Sequence, residues 1–301
     1  MKKIIIILLV LIGNFYNIEA QETIVLHGKI IDESTGDGIP FSTIEIMGKG
    51  IGTVANSDAV FSIKLSKINL NDTLSFRSLG YINKKFLVNS LEPENKNQIQ
   101  LKPKVYQLKE VIIETNIVSN KTVRLGTYKK KTRAGYHMNR WMQISIFMEN
   151  NKNYKGIIKN VSYYILKSGN PKTPFRVRIY KRDKEKNCPG EELLKESLIV
   201  KPQKKQGWFS VDVSKYNILI PEEGYFVAME WINAGDKYYY SKIIKENYVI
   251  NYGQALGNCF DYKKPYTWFY YLGYEWRNDY KLLDNNYILN AMVTSEIKIF
   301  E

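Results

Sequence analysis

The sequence predicts an all-β protein built from two β-sandwich domains, a small one followed by a larger antiparallel one. Its 301 residues suffice for two domains, since domains of about 100 to 150 residues are the commonest. Short β elements separated by turn residues crowd into residues 28–61, and further short segments with alternating apolar residues follow from residue 144 onward. Many short strands with turn signals between them are typical of sandwiches.

The first predicted domain opens with a strand that ends near Asp32, where a turn-forming stretch follows at residues 34–38. Alternation then places Ile44 and Ile46 on one face of a second strand. Phe61 begins another alternating strand at residues 61–65. Further strand segments are predicted at residues 74–76, 86–88 and 99–101.

Three glycines lie close together in the connection that follows the strand with Ile44 and Ile46. Gly48, Gly50 and Gly52 resemble a phosphate-binding loop in composition. A phosphate-binding loop needs a helix N-terminus after it, and here strands are predicted on both sides. The stretch is therefore predicted to be a hairpin turn.

The strand and turn residues between Gly28 and Tyr81 resemble the carboxypeptidase regulatory-like domain family. The resemblance covers about residues 24–102. Such domains stand at the N-terminus of TonB-dependent outer-membrane transporters and beside metallocarboxypeptidase catalytic domains, but are not themselves the enzyme. The resemblance implies a transthyretin-like, immunoglobulin-like sandwich, assigned here to residues 21–115. One position departs from the family pattern, because Ala59 stands where Gly is usual. The resemblance rests on the residues Gly28, Asp32, Thr35, Gly36, Ile39, Pro40, Gly52, Thr53, Asp58, Phe61, Leu79, Gly80 and Tyr81.

The first 20 residues have the pattern of a signal peptide. Lys2 and Lys3 precede an apolar run at residues 4–12, and Ala20 ends a small-residue cleavage site before Gln21. A retained anchor is the alternative, but the run is short of the roughly 20 residues that span a bilayer. We therefore expect export to the periplasm or outer membrane of a Gram-negative bacterium, or secretion, with no transmembrane segment after signal removal.

Residues 116–301 are predicted to form the second domain, with a basic linker near its start. Alternating segments occur at residues 144–148, 161–165, 175–179 and 208–213, with later candidates at 268–271 and 288–299. The apolar run at residues 224–231 predicts a central strand buried on both faces. Residues 174–180, 189–193 and 207–213 resemble a sandwich often appended to secreted bacterial proteins, which implies a jelly-roll-like fold used for binding or attachment.

The formal net charge is +14, which could suggest an acidic glycan or a nucleic acid as partner. The basic residues are spread along the chain, so compositional bias is the favoured explanation. Nucleic acid is not expected as a partner, because export removes it from reach.

Cys188 and Cys259 are the two cysteines. In an oxidising compartment they could pair, and closing a loop of roughly 70 residues would stabilise the fold by about 4 kcal/mol in a chain-entropy model. Two unpaired buried thiols are the alternative.

Catalytic chemistry finds little support in the sequence. His27 and His137 are the only histidines, and neither has the spacing of a zinc peptidase site. No metal site, cofactor or catalytic residue is therefore predicted. A glycosidase needs two positioned carboxylates, for which four acidic residues can be nominated: Glu222, Glu223, Glu230 and Asp236.

Aromatic side chains are abundant around Gly273. Packing of alternate members in the sandwich core is the favoured explanation. If the aromatics form a ligand-binding surface instead, its nominated residues are Trp268, Tyr271 and Trp276, since aromatic platforms anchor interfaces and bind sugar rings. The sequence thus predicts an exported, non-catalytic binding or scaffold protein with a cell-envelope protein or glycan as partner. A divergent envelope hydrolase that acts on glycans through carboxylates of the second domain is the alternative. The oligomeric state is not predicted.

Overall fold

The computed structural model describes residues 23–93, 96–104, 121–129, 132, 134–244, 247–261, 264–278 and 288–300. The predicted signal peptide, the boundary between residues 115 and 116 and most of the basic linker lie outside the described residues. In the described ranges, no helix combines the length and apolar character that crossing a bilayer requires.

The N-terminal domain consists of two small sheets. A three-stranded sheet has the order β4-β1-β7, and a four-stranded sheet has the order β3-β2-β5-β6. Strands β1 and β7 are parallel, and the other pairs are antiparallel. The strands are β1 (Thr23–Asp32), β2 (Thr43–Ile46), β3 (Ile51–Val54), β4 (Val60–Ser66), β5 (Thr73–Arg77), β6 (Lys84–Leu87) and β7 (Lys96–Leu101).

Alternation along these strands builds the core of the N-terminal domain. Phe61 in β4 packs edge to face on Phe76 in β5, with ring centroids 5.7 Å apart. Ile44 and Ile46 both point into this core, as predicted. The four residues between Ile46 and Ile51 connect β2 to β3, so the predicted glycine-rich hairpin turn is confirmed.

Two turns of this domain are fixed by local chemistry. The Asp32 carboxylate accepts hydrogen bonds from Ser34 N (2.7 Å), Ser34 Oγ (2.5 Å) and Tyr81 Oη (2.8 Å). Ala59 adopts a φ of +64°, so the turn keeps the left-handed conformation that glycine adopts at no steric cost.

The C-terminal domain is a larger antiparallel sandwich. A six-stranded sheet has the order β13-β12-β16-β10-β20, with β14 beside β12. A seven-stranded sheet has the order β21-β19-β11-β22-β8, with β15 beside β11 and β9 beside β19. The strands are β8 (Thr122–Gly126), β9 (Ala134–Tyr136), β10 (Gln143–Met148), β11 (Gly156–Gly169), β12 (Phe175–Arg182), β13 (Pro189–Glu192), β14 (Leu198–Val200), β15 (Gly207–Asp212), β16 (Tyr225–Glu230), β17 (Tyr239–Ile244), β18 (Asn247–Tyr252), β19 (Gln254–Asp261), β20 (Thr267–Tyr270), β21 (Ile288–Ala291) and β22 (Val293–Ile299).

The core of the C-terminal domain lies between these two sheets. Hydrogen bonds between the sheets cross it, from Tyr163 Oη to Ala228 O (3.0 Å) and from Tyr225 Oη to Ser295 Oγ (2.7 Å). Strand β16 is buried along its whole length at the centre of its sheet, as predicted. The all-β, two-sandwich prediction is therefore confirmed.

The C-terminal domain contains more strands than the alternating apolar segments of the sequence predicted. The segment at residues 288–299 is two strands, because the chain leaves the ladder at Met292. Strands β17 and β18 form a separate hairpin, and β19 is buried although it contains Gln254, Gly257 and Asn258. These strands lack the apolar alternation on which the prediction depended.

Cys188 and Cys259 are not joined by a disulfide in the described part of the chain. Cys188 precedes β13 at the edge of the six-stranded sheet, whereas Cys259 lies in β19 of the opposite sheet. Both residues are buried. The disulfide alternative is therefore not realised.

Candidate functional site

The six-stranded sheet of the C-terminal domain has an outer face that is polar and aromatic. Since side chains alternate along a strand, the neighbours of the core residues point outward. Strand pairing aligns these outward residues in three rows. The rows are Arg176, Glu230, Gln143 and Tyr270; then Arg178, Ala228, Ser145 and Trp268; then Tyr180, Phe226 and Phe147.

A network of ion pairs crosses the first two rows. Arg178 bridges two carboxylates, with Nη1 at 2.8 Å from Glu230 Oε2 and Nη2 at 2.5 Å from Glu192 Oε2. Arg176 Nη1 lies 3.4 Å from the same oxygen of Glu230. All four side chains are largely buried.

The pKa values of the two carboxylates in this network are shifted in opposite directions. Burial raises the pKa of Glu192 above its ordinary value, and the single contact with Arg178 only partly opposes the rise. Burial would also raise the pKa of Glu230, but Arg176 and Arg178 together hold it below its ordinary value. Glu230 is thus the firmly ionised partner of the two arginines.

The N-terminal domain docks on this outer face through Glu45. The side chain of Glu45 is fully buried and accepts hydrogen bonds from Tyr270 Oη (2.7 Å) and Gly273 N (2.8 Å) of the C-terminal domain. Arg77 of the N-terminal domain donates to the other oxygen of Glu45 and to Tyr270 Oη (3.1 Å). Glu45 is therefore a buried acceptor shared by both domains.

The glycine-rich turn between β2 and β3 forms a second contact between the domains. Gly48 N and Gly50 N both approach Gly273 O, at 2.8 and 3.3 Å. Gly273 has a φ of +79°, and a Cβ at this position would come within 2.9 Å of Ile51 N. The contact therefore requires glycine at position 273.

Phe41 forms a third contact. Its φ is +57°, an unusual conformation for a bulky residue. Its carbonyl oxygen accepts a hydrogen bond from Arg176 Nη2 (3.4 Å), and the Arg176 guanidinium lies 5.8 Å from the centre of the Phe41 ring. Unusual backbone conformations cluster where binding or docking fixes them.

These contacts leave a cleft of about 790 Å³ between the two domains. Ligand pockets in proteins fall mostly between about 300 and 1,000 Å³. Phe41, Arg77 and Tyr81 line it from the N-terminal domain, and the C-terminal domain contributes its charged and aromatic outer-face residues. The latter include Arg178, Tyr180, Glu192, Trp268, Tyr270, Tyr274 and Trp276.

Comparison with known proteins concerns the N-terminal domain. Residues 26–113 match the family model of the CarboxypepD_reg-like domain. The N-terminal domain is therefore similar to this family. The match confirms the predicted resemblance, and the family is a non-catalytic β-sandwich. No curated protein matches the chain.

Two of the three predicted ligand-binding residues line the cleft formed with the CarboxypepD_reg-like domain. Trp268 and Trp276 are partly buried there. Trp276 contacts Tyr180 edge to face at 5.7 Å and Tyr270 at 5.4 Å between ring centroids. Tyr271 instead packs against the core of the C-terminal domain, because it follows Tyr270 and points to the opposite face.

Tyr270, Arg178 and Glu45 are site residues that the sequence analysis did not nominate. Tyr270 shares the face of Trp268 by period-two spacing, so the strand prediction could have found it. The outward positions of Arg176 and Arg178 in an otherwise apolar strand were a similar signal. Glu45 gave no signal, because its burial depends on the other domain.

Some polar atoms in the cleft walls make no hydrogen bond within the protein. Oε1 of Glu192 and the Nε atoms of Arg77, Arg176 and Arg178 are buried and have no protein partner. A buried polar group without a partner costs about 1 to 3 kcal/mol. Hydrogen-bonding capacity therefore remains in the wall around Arg178.

The structure distributes the nominated carboxylates over the turn before β16, the end of β16 and the segment after it. Glu222 and Glu223 lie in the turn before β16 and Glu230 ends this strand, and at about 3.3 Å per residue the strand between them spans roughly 17 Å. Glycosidase carboxylates lie about 5 to 10 Å apart. Asp236 pairs with Arg140 at 3.2 Å, away from the cleft lining. Among the described residues, no group of three or more His, Cys, Asp or Glu residues could hold a metal ion.

Proposed function

We propose that the protein is an exported, non-catalytic binding protein of the bacterial cell envelope, and that its interdomain cleft holds a glycan. The observation that carries this proposal is the juxtaposition of Trp268, Tyr270 and Trp276 with fixed charged groups in one cleft. Aromatic rings supply flat apolar contact area at a small entropic cost, and the polar groups fix orientation.

Two further features support envelope placement. The first 20 residues carry the basic, apolar and small-residue regions of a signal peptide. The CarboxypepD_reg-like domain is a family typical of envelope proteins. Export is tested by cell fractionation and N-terminal sequencing of the protein from its native host, for which the expected mature terminus is Gln21. Retention in the cytoplasm with Met1 intact would contradict it.

Glycan binding is tested with residues 21–301 on a glycan array and against solubilised envelope proteins. We expect a glycan to bind, and Trp276→Ala to weaken it by about tenfold, equivalent to about 1.4 kcal/mol. Trp208→Ala is the matched control, because Trp208 lies in β15 of the opposite sheet and stacks on Tyr128 at 5.2 Å. Binding of an envelope protein with equal affinity by all three proteins, without any glycan, would overturn the proposal.

A further inference from the structure

The five cations that line the cleft are matched by three carboxylates of the lining and by two carboxylates that pair with the cations from behind it, although the chain as a whole carries a net charge of +14. The cations of the lining are Arg77, Lys104, Arg176, Arg178 and Lys186. The carboxylates that line the cleft or pair with these cations are Glu45, Asp183, Glu192, Glu230 and Glu275.

The arginines of the cleft are already committed to protein carboxylates. Arg77 pairs with Glu45, and Arg176 and Arg178 share Glu230. Arg178 also pairs with Glu192. On the rim, Lys186 Nζ lies 2.8 Å from Glu275 Oε1. An anionic ligand would have to compete with these internal carboxylates, some of them buried, for the same guanidinium groups.

From this balance we infer that the cleft selects an uncharged oligosaccharide rather than an acidic one; the inference rests on the proposed function. A sugar hydroxyl both donates and accepts hydrogen bonds. It therefore matches a wall in which guanidinium donors and carboxylate acceptors alternate. The aromatic residues Trp268 and Trp276 supply apolar area for the ring faces of the sugar.

The wall also retains unused hydrogen-bonding capacity of the required kind. Oε1 of Glu192 accepts no hydrogen bond from the protein, whereas Oε2 is occupied by Arg178. Oε1 is buried, so a rotation of the Glu192 side chain would be needed to present it to a hydroxyl. A hydrogen bond to Oε1 would favour a sugar hydroxyl over a ligand carboxylate, because an ionised carboxylate cannot donate a hydrogen bond.

Basic residues outside the cleft leave the rest of the chain with a net positive charge. The net positive charge of the chain attracts polyanions without specificity, and salt screens this attraction. Two modes of binding are therefore expected. Binding in the cleft is expected to depend on Trp276 and not on salt, whereas surface binding of anions depends on salt and not on Trp276.

The test measures the binding of residues 21–301 to neutral and uronic-acid-containing oligosaccharides of matched length by calorimetry. Each titration is repeated at about 0.1 and about 1 M salt, which shortens the Debye length from about 10 to about 3 Å. We expect a neutral oligosaccharide to bind with an affinity that changes less than about twofold with salt. Trp276→Ala should weaken this binding by about tenfold, while Trp208→Ala leaves it unchanged.

Two outcomes would overturn the inference, and they differ in what they imply. Acidic oligosaccharides that bind more tightly than neutral ones, with an affinity lost in Trp276→Ala, would refute selection of uncharged sugars and leave glycan binding in the cleft intact. Binding of neither class in a Trp276-dependent manner would remove the proposed function and the inference together. Circular dichroism of each variant verifies that the fold is retained.

Discussion

The carboxylate of Glu45 joins the two domains through hydrogen bonds from both of them. Its donors are Arg77 within the CarboxypepD_reg-like domain, and Tyr270 and Gly273 in the C-terminal domain. A carboxylate can accept all of these bonds because both oxygens are acceptors only. The side chain therefore favours docking of the domains as well as folding of each one.

Glu45→Gln is expected to weaken domain docking. The new amide group places a donor against existing donors, and leaving a buried donor unsatisfied costs about 2 kcal/mol. Chemical denaturation measures the loss. Glu33→Gln is the matched control, because Glu33 is exposed in the same domain and should change the free energy of unfolding by less than about 0.5 kcal/mol. Equal stabilities of the two variants would contradict this role of Glu45.

Asp32 gives the CarboxypepD_reg-like domain a pH dependence in the acidic range. The hydrogen bonds from Ser34, first from its hydroxyl and then from its backbone N–H, lower the pKa of Asp32 to about 2, and Tyr81 contributes further. Because the folded pKa lies below the value of about 4 in unfolded chains, the resulting stabilisation is present above pH 4. It is lost as the pH falls toward 2.

Ser34→Ala should raise the pKa of Asp32 toward 4, since it removes the hydroxyl donor. NMR titration of the Asp32 carboxyl carbon measures this change directly. The stability difference between wild type and Ser34→Ala should shrink between pH 4 and pH 2. Tyr81→Phe, which removes a weaker contributor, should raise the pKa less. An unchanged titration in Ser34→Ala would refute the assignment.

At the scale of elements, two turns hold the domains together. The turn between β2 and β3 donates its backbone N–H groups to the turn that follows β20. Backbone contacts of this kind depend on the absence of side chains, so glycine at position 273 sets the distance between the domains.

Gly273→Ala should separate these turns, and Gly48→Ala serves as its matched control. Both glycines have a φ of +79°, but a Cβ at Gly48 would meet open space. The control should therefore cost about 1 to 2 kcal/mol from the left-handed backbone alone. Gly273→Ala should cost about 2 kcal/mol more, because the new methyl group overpacks against Ile51 N. Thermal and chemical denaturation compare the stabilities of the two variants. Equal losses of stability would contradict the prediction that a methyl group at position 273 separates the two turns.

The sequence predicted strands well and the site only in part, for a physical reason. Alternation identifies the core face of a strand, so Ile44, Ile46 and strand β16 were placed correctly. The choice of Tyr271 instead of Tyr270 moved one predicted residue to the opposite face of the sheet. Glu45 reads as a solvent-facing residue in its own strand, and only the second domain buries it.

At the scale of the whole molecule, the shared contacts predict coupled unfolding. All five tryptophans, at positions 141, 208, 231, 268 and 276, lie in the C-terminal domain. Tryptophan fluorescence therefore follows that domain alone, while far-ultraviolet circular dichroism follows both. In wild type the two denaturation curves should coincide, which is the test for a single cooperative transition.

The double variant Glu45→Gln/Gly273→Ala should separate the two curves, because each domain then unfolds without the other. The double variant Glu33→Gln/Gly48→Ala is the control and should keep the curves coincident, since Gly48→Ala keeps the N–H that bonds to Gly273 O and places its methyl group in open space. Separate curves in wild type would mean that the domains are independent despite their shared hydrogen bonds.

The pairing of β8 with β22 has a consequence for how the C-terminal domain is made. Gly126 pairs with Thr294, so strand β22 enters between β11 and β8 only after nearly the whole domain has been synthesised. Pairing over such a separation requires slow loop closure and raises the contact order. During synthesis strand β8 therefore lacks its partner until residues 293–299 emerge from the ribosome.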